Sequence, residues 1–148
     1  MHHSPLQLER HFFTKVQLDA NSNGKPGVAN QLNCQVEVGQ SSDDTKQWQV
    51  VLRLKISSPP KEEACYTGEI HAVGLFHVMN GWPAEKIQLL VSANGAALLY
   101  GAIRELLLNL TARGPWPEVL LNSMTFTQPK DQPKSEAGKE STSEASKA

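Results

Sequence analysis

The residues with chemistry to offer are His71 and His77, Cys34 and Cys65, the acidic pairs Asp43-Asp44 and Glu62-Glu63, and Met1-His2-His3; their spacing decides how much of it they deliver. His71 and His77 stand six residues apart in a strand-like segment. That puts them on one face but about 20 Å apart at roughly 3.3 Å per residue, too far to share a metal ion. Met1-His2-His3 has donors for a stray copper or nickel ion, but terminal histidines are ordinarily just solvated, and no metal site is expected. The acidic pairs lie in turn-like segments, where solvation and turn formation explain them better than general acid–base work. No serine occupies the strained G-x-S-x-G turn of a hydrolase. Neither a G-x-x-x-x-G-K-[ST] phosphate loop nor a dinucleotide fingerprint occurs. The chain reads as no enzyme, without a cofactor, whose action on a partner is passive.

Bulk properties narrow the partners. A formal net charge of -1 and a sequence pI near 6.5 provide no cationic surplus for a polyanion, so nucleic acid is not an expected partner. A length of 148 residues fits one domain with a real core. Cys34 and Cys65 fall in strand-like segments and read as free core thiols of a reducing compartment. Residues 1–10 lack the apolar run of a secretory signal, and the expectation is a cytoplasmic protein. Residues 87–110 approach membrane-span length, but Arg104 and Glu105 would each cost roughly 2.5 to 3.5 kcal/mol at a bilayer centre. A buried helix is expected there, with no direct membrane insertion.

Four segments alternate with the period of half-buried strands. The first offers Leu6, Leu8, Phe12, Val16 and Leu18 in one phase. The second sets Leu32, Cys34, Val36 and Val38 against Gln31, Asn33, Gln35 and Glu37, and the third sets Trp48, Val50, Leu52, Leu54 and Ile56 against Gln47, Gln49, Arg53 and Lys55. One apolar and one polar face favour an antiparallel sheet. Residues 64–78 are less polar on either face, as a central or interface strand would be. After Gly81-Trp82-Pro83, residues 84–91 form an apolar connection of open conformation. Cap candidates at 92–95 then precede a helix expected over 96–112 and stopped by Arg113-Gly114-Pro115. Leu99, Ile103, Leu106, Leu107 and Leu110 form its main stripe, and Leu98, Ala102 and Leu108 widen it past a single face, which calls for a second copy of the chain as partner. From 129 to 148 the composition is Lys, Glu, Ser, Ala, Gln and Pro without an aromatic, expected to be a disordered tail on a domain of residues 1–128.

Leu98-Leu99-Tyr100-Gly101-Ala102-Ile103-Arg104-Glu105 and Ala112-Arg113-Gly114-Pro115-Trp116-Pro117 resemble the opening of the long helix of the SecB protein-export chaperones and the motif that ends it. Phe126 stands where that family has a phenylalanine, while residues 48–54 and 74–76 resemble its third and fourth strands. The resemblance implies an α+β fold, a four-stranded antiparallel sheet with a long helix packed on it, assembled as a dimer of dimers. It also implies an ATP-independent holdase that keeps unfolded preproteins in the cytoplasm and delivers them to the translocation ATPase SecA. Client contacts carry over as Val36, Val38, Trp82, Ile87, Leu89, Leu90, Leu99 and Ile103, and SecA contacts as Asp19 and Glu69. Two departures stand out. Thr127-Gln128-Pro129 leads into the tail where the family often has a second helix, and Lys15 stands where the family commonly has an acid. The competing readings are a relative dedicated to one client such as an antitoxin, a helix-grip or hotdog domain holding a small molecule or lipid, and a purely structural oligomerisation module.

Overall fold

Only a strand puts every second residue on one face, so strict apolar–polar alternation selects extended structure. The computed structural model describes residues 1–126, and the expected polar tail over 129–148, with its boundary at 128, lies outside them. Four strands, β1 (Leu6–Ala20), β2 (Gln31–Gln40), β3 (Gln47–Ser57) and β4 (Tyr66–Val78), precede one helix, α1 (Ala84–Thr111). The sheet is wholly antiparallel in the order β1-β4-β3-β2, which makes β4 internal. α1 covers one face, giving the α+β arrangement expected. On that inner face Val50, Leu52, Leu54, Ile70, Ala72 and Phe76 are fully buried. Each large side chain among them contributes about 1.5–3 kcal/mol of transfer free energy. The polar residues of β3 point outward, opposite those of β2.

β1 departs from simple alternation. Its register to β4 slips between Leu8 and Arg10 and again between Phe13 and Lys15, so Glu9 and Thr14 are extra residues. Each bulge inverts the phase of the residues after it. Leu6, Leu8, Val16 and Leu18 share the inner face as expected, while Phe12 pairs with Val73 on the outer face and Phe13 takes the inner place opposite Ala72. Phe12 is thereby corrected: an even number of insertions restores the phase at both ends and hides the reversal between them.

α1 is longer than expected, beginning at Ala84 with Pro83 before it and no side-chain cap. The residues at 92–95, expected as a cap, lie inside the helix. Gly95 is there for packing. A Cβ on it would stand 2.8 Å from Val50 Cγ2, so the missing side chain lets the helix backbone settle onto the sheet. Below that point Leu99, Ile103 and Leu107 fill the space between the layers. By length and composition α1 is apolar enough to cross a membrane, but these buried residues are the core under the sheet. The cysteines are also corrected: both are free, and both are half-buried rather than core. Cys34 belongs to an edge strand, and Cys65 to the loop before β4.

The helix ends where its sequence motif lies. Tyr66, from the start of β4, accepts a hydrogen bond from Trp116 N–H at 3.1 Å, and its hydroxyl points to the carbonyls of Thr111 and Trp116. Gly114 passes so close to that hydroxyl that any Cβ would collide with it. Trp116 Nε1 donates to the Asn21 carbonyl at 2.9 Å. The chain then turns back along α1: the Thr111 hydroxyl accepts from Val119 N–H at 2.8 Å, Tyr100 donates to the Asn122 carbonyl, and Phe126 sits edge-on to Tyr100 with ring centroids 5.7 Å apart.

Candidate functional site

β2 is an edge strand, so its inner-face residues have α1 on one side and nothing paired beyond them. Leu32, Cys34 and Val38 are half-buried against the core and Val36 is 38% exposed. From Leu32 to Val38 this trough runs about 20 Å at roughly 3.3 Å per residue. At its far end a cleft of about 530 Å³ is lined by Trp48, Met79, Trp82 and Ile87, with polar groups from Gln40 and Lys46. Gly81, at φ 99°, makes the turn that carries Trp82 there, a conformation side-chain-bearing residues rarely adopt. At the near end a cleft of about 310 Å³ lies between Leu32, Cys65 and residues 117–122.

Polar groups along this flank are donors. Burial pushes the Tyr100 hydroxyl up from its usual range, with Cys34 adding to the rise and Arg104 opposing it; burial likewise raises the Cys34 thiol. Both stay protonated at neutral pH. Among the described residues Trp48 Nε1 and Arg104 Nε are buried N–H donors without a partner. An open trough with apolar walls suits extended polypeptide, whose side chains alternate.

The expected contact residues divide. Trp82 is 39% and Leu89 42% exposed, Val36 is open as described, and Val38, Ile87 and Leu90 are half-buried around the same trough and the first turns of α1. Leu99 and Ile103 are corrected: both are 0% exposed, with their surface spent on the sheet, and they offer nothing to a ligand. They lie on the same helix but over the sheet's centre instead of beyond its end. Trp48 was missed, since its phase marked it as core, and its buried unpartnered Nε1 is visible only in three dimensions. Tyr100 was missed because it falls within an apolar helical run. The space between α1 and the sheet, which a helix-grip or hotdog ligand would need, is filled by Phe76, Leu99 and Ile103.

Asp19 and Glu69 both lie on the outer face, where Gln17 pairs with Glu69 and Asp19 with Thr67. Glu69 is engaged by Lys15 Nζ at 3.0 Å and His71 Nε2 at 2.7 Å. The hydrogen bond from His71, then that from Lys15, holds its carboxyl below the usual range. Glu37 is likewise lowered by Arg53 at 2.6 Å. The outer-face acids Glu37 and Glu69 are thus answered by the chain's own cations. Among the described residues no group of three His, Cys, Asp or Glu is placed to hold a metal ion.

The family model described as preprotein translocase subunit SecB matches residues 7–135. The protein-export protein SecB of Psychrobacter arcticus is 27% identical over 127 residues, covering 83% of this chain and 84% of that protein. That of Saccharophagus degradans is 30% identical over 104 residues, covering 70% of this chain and 59% of that protein. Among solved structures, the SecB-like chaperone of Mycobacterium tuberculosis, in complex with a ChAD peptide from the HigA1 antitoxin, superposes with a TM-score of 0.64 at 19% identity, covering 84% of this chain and 94% of that one. At that identity the likeness is one of fold.

Proposed function

Because this chain belongs to the SecB family, we propose that it is an ATP-independent holdase that binds unfolded precursor proteins in the cytoplasm and keeps them competent for export. The observation that carries this reading is the open apolar trough along β2 and the start of α1, where Val36, Trp82 and Leu89 stay accessible although the core beneath is closed. Each contact with an extended client is weak, and several along one chain add through effective concentration. Binding the unfolded state in preference to the folded one delays folding with no energy input. The antitoxin peptide held by the Mycobacterium tuberculosis relative supports polypeptide as the ligand class.

A homotetramer goes with this function. Leu98, Ala102, Leu106 and Leu110 follow one another at four-residue spacing along one flank of α1, with Leu98 and Leu110 exposed and Ala102 and Leu106 half-buried, and Gly101 beside them has open space around it. A second copy of the helix fits that face. Delivery to SecA through Asp19 and Glu69 would require a partner that competes with Lys15 and His71 for the Glu69 carboxylate. The decisive experiment combines native mass with suppression of aggregation of a reduced, unfolded substrate without ATP. A tetramer that suppresses aggregation is expected. A particle that leaves the substrate to precipitate overturns the proposal.

A further inference from the structure

Residues 119–126, Val-Leu-Leu-Asn-Ser-Met-Thr-Phe, contain no charge and belong to neither helix nor strand. Leu121 is buried, Val119 and Phe126 are half-buried against the core, and Leu120 is 61% exposed, so the segment is seated through three apolar side chains with the rest open to solvent. Its side-chain bonds at Thr111 and Tyr100 fix its direction: position 119 sits at the end of α1 and position 122 some eleven residues earlier on the helix, so it runs antiparallel to α1. It borders the cleft that Leu32 lines at the near end of the β2 trough. Among the described residues no backbone-to-backbone hydrogen bond ties it to the sheet. Residues 119–126 are therefore an uncharged strip of chain seated by a few apolar side chains and held by side chains reading its backbone, which is how a client would be held.

We propose that residues 119–126 are an internal occupant of the client trough, and that clients displace them. This rests on the holdase reading and deepens it. The channel between α1 and the start of β2 becomes a binding site for extended apolar polypeptide running antiparallel to α1, with the Tyr100 hydroxyl donating to a main-chain carbonyl and the Thr111 hydroxyl accepting a main-chain N–H. Opening it leaves the fold's anchor in place, because Trp116 remains bound to Tyr66 and Asn21.

Hydrogen exchange on the full chain, with and without saturating reduced and carboxymethylated lactalbumin, tests this. The client should speed exchange of the amides of 119–126. Tyr100→Phe, which keeps the ring and loses a donor used by resident segment and client alike, should speed exchange of 119–126 in the free chain while leaving client affinity within about two-fold. Phe126→Ala, which loosens the resident segment alone, should tighten client binding about five-fold, the worth of one aromatic edge contact, with thermal unfolding run on both variants to show that they fold. Client binding, measured by anisotropy, with exchange in 119–126 unchanged or slowed would overturn the displacement while leaving the holdase intact. No client binding at all would instead remove the holdase reading, and the displacement with it.

Discussion

The two ends of α1 are equally apolar in composition and opposite in use. Among its first seven residues, 84–90, none is buried, and Leu89 is open. From Val91 onward the helix buries Val91, Ala96, Leu99, Ile103 and Leu107 among others. What differs is whether the sheet lies underneath. Past the sheet's end the same leucines stay open to solvent, as the proposed client surface requires, so in this fold a hydrophobic residue is buried or exposed by its position along the helix and not by its type.

Several measurements break or sharpen this contrast. The largest effect is expected from Ile103→Ala, which empties a fully buried position and should cost about 2–5 kcal/mol of unfolding free energy by chemical denaturation. A loss below about 1 kcal/mol would place it outside the core and erase the division. At the junction, Gly95→Ala sets helix propensity, a gain of about 1 kcal/mol, against overpacking on Val50 that costs about 1–3 kcal/mol. Net destabilisation is expected, and a net gain would mean the helix can lift off the sheet. Gly101→Ala meets no neighbour and should stabilise the isolated chain by up to about 1 kcal/mol. A loss of stability accompanied by a fall in native mass would place a second copy's helix at that face.

Leu89→Ser should leave stability within about 0.5 kcal/mol while raising roughly five-fold the concentration needed to suppress aggregation, since each buried apolar side chain contributes on the order of 1 kcal/mol or more. Unchanged suppression would remove the first turns from the binding surface. The smallest effect is expected at Glu69→Gln, on the outer face. The Glu69 carboxyl is lowered by His71 and Lys15, so its contribution is present above the ordinary carboxylate pKa near 4.3 and is lost as the pH falls through the lowered value. Thermal unfolding from pH 6 down to about pH 3 should therefore fall slightly less steeply for the variant than for the native chain. Parallel curves would mean that the ion pairs are solvated equally in both states.

The same contrast separates what was legible in the amino-acid sequence from what was not. β2 and β3 were readable residue by residue, because their alternation is unbroken and their pairing carries no bulge. The end of α1 was readable because a glycine, two prolines and a tryptophan mark it, although the reason for Gly114, the hydroxyl of Tyr66 pressed against it, requires the fold. The start of α1 was not readable: Pro83 offers no capping side chain, and the residues at 92–95 resemble a cap while serving as a packing notch. Leu99 and Ile103 were named as client contacts through the family resemblance although they belong to the main apolar stripe, since a helix apolar around most of its circumference does not declare which side meets the sheet. The return of residues 117–126 along α1 had no local signal, because tertiary contacts of Tyr100 and Thr111 alone define it.

The two extra residues of β1 constrain how this strand can change over time. Loss of Glu9 or of Thr14 would smooth one bulge and leave every partner on β4 in place, with Phe12 still outside and Phe13 still inside, so each bulge is one residue of slack in the strand. Viable shorter forms of β1 should therefore lack a single residue at or beside 9 or 14, whereas a further insertion in the regular stretch 15–20 would turn its neighbours over.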